Sequence, residues 1–309
     1  MTTPATRFEW VIFLALGFMW GSSYLFIKLA VDSFGTFTLI ALRLLIGAAF
    51  LWVVLRLSRT PLPRDRRVYG HLIVMSIINI TIPFALITWA EQSVDSALAA
   101  ILNATVPLFV IVLAPMFLPD EPIRVNGILG LMVGFLGVVL IVSPGLAAAA
   151  GTVPGQIALL GSSLSYAIGN VYARRNIQGQ PPMIPAVFQV TFALLIVGLL
   201  AIVVERPWAT ATPDAEAWFS VIWLGILGSG MAYLAYFRLL LTWGATRTAL
   251  VAYLLPVVGI VLGFLVRGEP IDATLIGGTA LVIAGVALVN GRWGRRRLFA
   301  PAPQPTKPA

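Results

Sequence analysis

The stretch of sequence that decides the fold occurs twice. Residues 121–140 read EPIRVNGILGLMVGFLGVVL, and residues 269–288 read EPIDATLIGGTALVIAGVAL. Both copies begin with Glu-Pro-Ile and continue as an apolar run in which an isoleucine, two glycines and a leucine keep the same spacing. The two copies predict that the chain is built from two similar halves.

Further residue pairs keep the same order in the two halves. They are Trp20 with Tyr166, Lys28 with Arg174, Arg43 with Gln189, and Pro107 with Pro256. Single matches between apolar helices arise easily by chance, but the repeated Glu-Pro-Ile motif and the paired prolines are harder to obtain that way. We expect repeat 1 to cover about residues 8–143 and repeat 2 about residues 154–290.

Composition places the chain in a membrane. Of its 309 residues, 59% are hydrophobic and 10% are charged, whereas a typical soluble domain carries about 25% charged residues. A soluble enzyme, a disordered protein and a disulfide-bonded scaffold are all poor interpretations of this composition. The absence of cysteine excludes disulfides, thiolate catalysis and cysteine-ligated metal.

Ten stretches are long and apolar enough to cross a bilayer, which takes about 20 residues as a helix. Their apolar character extends all round, unlike the alternation of a barrel strand. The connections are short, so residues 1–290 form one transmembrane domain, followed by a basic segment and a disordered, proline-rich tail at 291–309. The predicted spans are Phe8–Ala30, Thr36–Leu57, Val68–Glu91, Ser96–Leu118, Val125–Ser143, Pro154–Arg175, Pro182–Val204, Ala217–Leu240, Arg247–Val266 and Ile271–Asn290.

The basic residues predict the orientation. With the N-terminus in the cytoplasm, all but four of the 20 lysines and arginines fall on the cytoplasmic side. The exceptions are Lys28, Arg206 and Arg267 on the opposite side and Arg43 inside a span. Both termini should be cytoplasmic, and the net charge of +8 orients the protein rather than binding nucleic acid.

Five spans per half is an odd number, so the second half must enter the membrane in the opposite sense. The predicted fold class is therefore an all-α membrane protein of ten transmembrane helices arranged as two inverted five-helix repeats. Inverted repeats are typical of transporters, in which the substrate lies near the midplane where the halves meet.

The chain resembles the drug/metabolite transporter superfamily, in its EamA-type ten-helix branch. The residues that carry the resemblance are Trp20-Gly21-Ser22-Ser23-Tyr24, Arg43, Pro107, the pattern Glu121…Gly130…Gly137 and its echo Glu269…Gly278…Gly285. The resemblance implies transport of small molecules, often the export of amino acids across the bacterial inner membrane. Tyr166 and Gln189 depart from the family pattern, in which a tryptophan and a second arginine are common.

Helical spacing gathers polar, aromatic and small residues onto shared faces, and these faces are candidates for a substrate cavity. Packing between helices is the alternative for each of them. Prolines inside spans kink their helices and are candidates for hinges or static kinks, and Arg43 is a candidate for a gating or carboxylate-binding role. The cavity candidates are Trp20, Tyr24, Asn79, Asn103, Ser165, Tyr166, Asn170, Ser229 and Tyr253; the hinge and gating candidates are Pro83, Pro107, Pro256 and Arg43.

Acidic residues occur only near the ends of the predicted spans. Carriers driven by protons or sodium commonly use a buried carboxylate that binds the ion. We therefore expect facilitated diffusion without such a relay. The alternative is a transporter of a sugar, nucleoside or drug, including one that is coupled to protons.

The cavity candidates favour a small neutral or zwitterionic solute, with neutral, hydrophobic or aromatic amino acids as the first expectation. One histidine, no cysteine and no acid within a span argue against an enzyme, and no cofactor, metal or obligate protein partner is expected. The bilayer itself is a partner: anionic lipid headgroups should contact Arg295, Arg296 and Arg297 after the last span.

Overall fold

The computed structural model describes residues 6–94, 96–146, 152–210, 213–267 and 273–290. These residues are almost entirely helical, as the composition predicts. The helices are α1 (Arg7–Phe34), α2 (Thr36–Ser58), α3 (Arg66–Ala90), α4 (Ser96–Asn103), α5 (Val106–Phe117), α6 (Val125–Leu146), α7 (Val153–Asn176), α8 (Met183–Glu205), α9 (Ala215–Trp243), α10 (Ala245–Ala249), α11 (Leu254–Arg267) and α12 (Ala273–Asn290).

Every predicted span coincides with helix in the described residues. Five helices are long and apolar enough to cross a membrane, namely α1, α2, α3, α8 and α9. The other predicted spans also coincide with helices in the described residues. The tail at 291–309, with Arg295, Arg296 and Arg297, lies outside the described residues.

Glycine alone connects two pairs of helices. Gly35 joins α1 to α2 with φ of 77°, and Gly244 joins α9 to α10 with φ of 89°. These backbone angles lie in the left-handed region that suits glycine, because a side chain there would clash. Each pair of helices is therefore separated by a single residue.

The repeated sequence forms the tightest helix pair. Helices α6 and α12 pack against each other through the matched glycines. A Cβ atom built at Gly130 would lie 2.7 Å from the carbonyl oxygen of Gly285, and one at Gly137 would lie 2.6 Å from that of Gly278. The first glycine of each copy thus contacts the second glycine of the other copy, and the two backbones touch without side chains between them.

Wide turns interrupt α3 and α9 at matching places. Residues Ile77–Thr81 of α3 and Leu224–Met231 of α9 form π-helix, in which the ladder of backbone hydrogen bonds is locally expanded. Such turns are frequent at functional sites. Both lie at the middle of their helices and reach the centre of the bundle, where they pack on α8 and α2 respectively.

The three prolines predicted as hinges stand at breaks in their helices. Pro83 begins the α-helical part that follows the π turn of α3, and Pro107 begins α5 after the break at residues 104–105. Pro256 follows the 3₁₀ turn Leu250–Tyr253 near the start of α11. A proline in the first helical turn leaves no hydrogen bond unmade, so each break accommodates its proline. Whether the breaks flex stays a prediction.

Candidate functional site

A cavity of about 780 Å³ lies at the centre of the bundle. Helices α1, α2, α3, α7 and α9 surround it, together with the chain that joins α4 to α5 and α10 to α11. Six aromatic side chains form much of its wall: Trp20, Tyr24, Phe84, Tyr166, Tyr233 and Tyr236. Concave sites with aromatic and apolar walls and a few polar groups are typical of pockets that hold small molecules.

Amide side chains line the same cavity and hold its aromatic rings in place. Asn103 donates a hydrogen bond to the Tyr24 hydroxyl, and the Tyr236 hydroxyl donates to Asn170 Oδ1 at 3.0 Å. The hydroxyl of Tyr233 donates to the backbone carbonyl of Asn79 at 3.2 Å. These bonds satisfy polar groups that water does not reach, and they fix the orientation of each ring.

Arg43 is the charged residue of the cavity wall. Its side chain is 3% exposed, its Nε donates to Ser229 Oγ at 3.2 Å, and its guanidinium lies 4.3 Å from the centre of the Phe84 ring. Within the described part of the chain, no carboxylate comes within ion-pair distance of it. A guanidinium held in this way presents the rest of its planar donor set to a bound solute.

Arg43 and its partner in the other half make reciprocal contacts. Arg43 on α2 bonds Ser229 in the π turn of α9, while Gln189 on α8 accepts a bond from Asn79 Nδ2, in the π turn of α3, at 3.2 Å. Because Gln189 is the sequence partner of Arg43, the two pairs use equivalent positions with the halves exchanged. One pair carries a charge and the other is neutral.

Seven predicted residues lie together in the cavity wall: Trp20, Tyr24, Arg43, Asn79, Asn103, Tyr166 and Asn170. Ser165, Ser229 and Tyr253 lie outside the lining. Ser165 donates to the carbonyl of Ile78 at 2.6 Å, and Tyr253 donates to that of Leu131 at 2.9 Å with its ring against Gly134. The three prolines are also absent from the lining.

Tyr233 and Tyr236 belong to the lining but were not among the predicted site residues. Their spacing from Ser229 places all three on one face of α9, and this signal was present in the sequence. Trp20 reaches the same face, because its Nε1 donates to the carbonyl of Gly228 at 3.2 Å and its ring lies 5.6 Å from that of Tyr236.

Hydrogen bonds between helices close one end of the cavity, which we call the Lys28 end. Lys28 Nζ donates to the backbone carbonyl of Glu91 at 2.9 Å, and Gln92 Nε2 donates to Thr36 Oγ1 at 2.8 Å. The carboxylate of Glu205 accepts the backbone N–H groups of residues 37 and 38 at 2.8 and 2.7 Å. It thereby caps the first turn of α2, where the helix dipole favours negative charge.

A second network closes the opposite end, which we call the Arg174 end. Glu121 accepts the N–H groups of Ala245 and Thr246 at 2.6 and 2.8 Å and so caps α10. Arg174 donates to Asp120 Oδ2 at 3.1 Å and to the carbonyl of Leu241 at 2.9 Å. At the Lys28 end and at the Arg174 end alike, a basic side chain thus donates a hydrogen bond to a backbone carbonyl near the C-terminus of another helix.

Two acidic residues near the ends of predicted spans are buried. Glu9 is 5% exposed and Glu91 is fully buried. Glu9 accepts from Trp243 Nε1 at 2.9 Å. Both residues stand near helix ends, as predicted, but neighbouring helices cover those ends. Position along a span therefore does not measure distance from water.

Comparison with known proteins gives a family. The sequence model of the EamA-like transporter family matches residues 8–143 and, separately, residues 153–291. The chain is similar to the uncharacterized transporter YoaV of Bacillus subtilis (strain 168), with 24% identity over 290 residues, 92% of this chain and 97% of that protein. It is also similar to the uncharacterized inner membrane transporter YedA of Escherichia coli (strain K12), with 27% identity over 277 residues, 89% of this chain and 88% of that protein.

The fold is also shared with a protein of known crystal structure. The two chains superpose with a TM-score of 0.73 at 22% sequence identity, over 92% of this chain and 96% of the other. The superposition covers both matched segments, so the helical arrangement is common to the two proteins.

Proposed function

Because this chain belongs to the EamA-like transporter family, we propose that it is a membrane transporter that exports small neutral amino acids by alternating access. The favoured substrates have hydrophobic or aromatic side chains. The proposed location is a bacterial inner membrane with both termini in the cytoplasm. The chemistry of the cavity supports the substrate class, and the contacts between the halves support the mechanism.

Three observations support two inverted five-helix repeats. The family matches the two halves separately. The first glycine of each copy contacts the second glycine of the other copy in the pair α6 and α12. The hydrogen bonds Arg43–Ser229 and Asn79–Gln189 likewise each join one half to the other, with the halves exchanged. Exchanged contacts of this kind arise when a two-fold axis relates the two partners. A substrate on such an axis meets the same kind of closure at each end, which suits alternating access.

The charge of Arg43 carries the substrate proposal. A lone guanidinium among aromatic rings and amides recognises one carboxylate attached to an apolar body. Solutes with several negative charges would need more cations than the lining contains. The aromatic wall from Trp20 to Tyr236 provides the surface for the amino-acid side chain.

Facilitated diffusion without a carboxylate relay stays an untested prediction, and its premise is wrong at Glu91, which is fully buried. The contact of anionic lipid with Arg295, Arg296 and Arg297 is likewise proposed from the sequence alone. Binding to liposomes of anionic lipid that is unchanged when these arginines are replaced by glutamine would contradict this proposal.

Uptake of labelled solutes into proteoliposomes tests the substrate class. We expect saturable uptake of apolar amino acids, and competition by them but not by amines that lack the carboxylate. Arg43→Gln, which puts glutamine in both halves, should raise the half-saturation concentration about 10- to 100-fold, because a charge-assisted hydrogen bond contributes about 1.5–3 kcal/mol. It should also abolish the discrimination against amines.

Arg238→Gln is the matched control. Arg238 is exposed and lies over the Phe8 ring, outside the cavity lining, so its removal should leave half-saturation unchanged. Uptake of nucleosides or sugars alone would contradict the proposed substrate class. Equal effects of the two arginine substitutions would contradict the role of Arg43.

A further inference from the structure

The carboxyl group of Glu91 differs from the other buried carboxyl groups that the structure describes. It is fully buried, and neither side-chain oxygen accepts a hydrogen bond within the described part of the chain. The carboxylates of Glu9, Glu121 and Glu205, by contrast, each accept N–H groups. An ionised carboxylate without water or donors is strongly destabilised, so the closed structure favours the protonated, neutral form of Glu91.

Two cations act in the other direction. Lys28 on α1 and Arg43 on α2 lie close enough to Glu91 to interact electrostatically, and both favour its ionised form. The hydroxyl of Tyr24, also on α1, faces the same region. The charge of Glu91 is therefore balanced between desolvation and two positive groups, and a change in hydration shifts that balance.

The remaining surroundings are apolar. Ala90 and Val94, on either side of Glu91, pack in one cluster with Ala158 and Leu159 of α7 and with α11. The titratable side chains in contact with that cluster are Tyr24 and Tyr166. Asp95 lies outside the described residues.

The closure of the Lys28 end is what keeps water from Glu91. The same turn that carries the carboxyl group accepts the Lys28 ammonium on its backbone, and its next residue, Gln92, bonds Thr36. Separation of α1 and α2 from this turn would break both bonds and admit water to the carboxyl group. Hydrated and next to two cations, Glu91 would then ionise.

The Arg174 end has a similar closure, but its carboxylates, Asp120 and Glu121, lie 3.1 and 3.8 Å from Arg174 and are paired with it. Arg174 donates to the carbonyl of Leu241, as Lys28 does to that of Glu91. Arg174 is the sequence partner of Lys28, and the acceptor residue is leucine at one end and glutamate at the other. Of the two closures that the structure describes, only that at the Lys28 end therefore contains a buried carboxyl group without a hydrogen-bond donor or an ion-pair partner.

We propose that Glu91 is a proton-binding site whose protonation accompanies closure of the Lys28 end. By thermodynamic linkage, protonation of Glu91 stabilises the closed form of the Lys28 end by the same free energy by which closure favours the protonated form of Glu91. A proton from water at the open Lys28 end binds a carboxylate oxygen and stays bound as the empty carrier closes. Once the Arg174 end opens, it leaves to water that enters the cavity, whose wall includes Ile87 and Thr88, one helical turn before Glu91. Resting on the proposed transport function, this makes the export cycle an exchange of substrate for proton.

Accessibility of the Lys28 end tests the site without any substrate. The chain has no cysteine, so Ile27→Cys, in the cavity wall beside Lys28, gives a single labelling position. We expect its reaction with a water-soluble maleimide, normalised to unfolded protein at each pH, to accelerate as pH rises. The rate should change by about tenfold per pH unit where Glu91 titrates.

Two variants of Glu91 and one control define the outcomes. Glu91→Gln should label slowly at every pH, and Glu91→Asp should restore the pH dependence with a shifted midpoint. Asp32→Asn removes an exposed carboxylate from the same end of α1 and should keep the profile of the parent. A parent without pH dependence, or a Glu91→Gln protein that retains it, would overturn the proposal.

Flux measurements separate this inference from the proposed function. With the membrane potential clamped, proteoliposomes with an acidic interior should accumulate the amino acid. At one proton per substrate, the ratio of internal to external amino acid should rise about tenfold per unit of pH difference. For Glu91→Gln the same ratio should be one. Accumulation that ignores the pH gradient refutes coupling while leaving amino-acid transport intact. Labelling that depends on Glu91 without any amino-acid flux refutes the proposed substrate class alone.

Discussion

Neighbouring glycines on α12 give a direct test of the contact between the repeated sequences. A Cβ atom at Gly278 would lie 2.5 Å from Ile141 Cγ1 and 2.7 Å from the carbonyl oxygen of Gly137. A Cβ atom at Gly277 would meet only Leu140 Cδ2, at 3.6 Å, which is an ordinary contact. We expect Gly278→Ala to destabilise the protein and Gly277→Ala to be harmless.

The size of the difference follows from the shared helix. Replacement of glycine by alanine favours a helix by about 0.8–1.0 kcal/mol, and this gain is common to both variants. At Gly278 the backbone of α6 must also move away by about 1 Å, and overpacking of this kind costs about 1–3 kcal/mol. The free energy of unfolding of Gly278→Ala should therefore be lower than that of Gly277→Ala by about 1–3 kcal/mol.

Unfolding of the purified proteins in detergent, followed by tryptophan fluorescence and by the fraction that elutes as folded protein, measures this difference. Gly277→Ala should equal or exceed the parent, and Gly278→Ala should unfold at lower temperature or denaturant concentration. Equal stability of the two variants would show that α6 and α12 are not in backbone contact at this position. The crossed glycine contact would then fail as support for the inverted repeat.

Three further substitutions have defined outcomes. Tyr253→Phe removes the donor to the buried carbonyl of Leu131, so unfolding in detergent should show a loss of about 1–2 kcal/mol; an unchanged value would mean that water replaces the hydroxyl. Glu121→Gln weakens the cap of α10, and the same assay should report a loss of about 0.5–2 kcal/mol that shrinks in high salt; a loss independent of salt would point to packing instead. Ser229→Ala removes the acceptor for Arg43 Nε and should raise the half-saturation concentration for amino acids about three- to tenfold in proteoliposomes, whereas an unchanged value would show that the guanidinium is held without it.

Sequence periodicity was sufficient for the helices and for much of the cavity wall. Apolar runs of about 20 residues have one regular solution in a bilayer, because all backbone polar groups must bond within the segment. Arg43 and the asparagines could be singled out because hydrocarbon offers such groups no partners. The matched glycines predicted a close helix contact, and α6 and α12 make it.

Periodicity could not tell which helices are neighbours. The positions of Ser229 and Tyr253 along their helices fit a cavity wall. In the structure, however, Ser229 accepts a hydrogen bond from Arg43 outside the lining, and Tyr253 donates to Leu131 of α6. The burial of Glu91 depends on α7 and α2 packing against the end of α3, which is a contact between distant parts of the chain. Tyr233 and Tyr236 follow Ser229 at helical spacing, but spacing alone does not decide whether an aromatic residue on an apolar helix belongs to the core or to a cavity wall.

The one-residue connections at Gly35 and Gly244 bear on how the chain is assembled. One residue spans at most about 3.6 Å, so we expect α1 and α2 to enter the bilayer together as a hairpin. We expect the same of α9 and the segment that begins with the short helix α10. Epitope tags or reporter proteins inserted at either glycine would separate the two helices of a hairpin during synthesis, so topology mapping by insertion belongs at the longer connections.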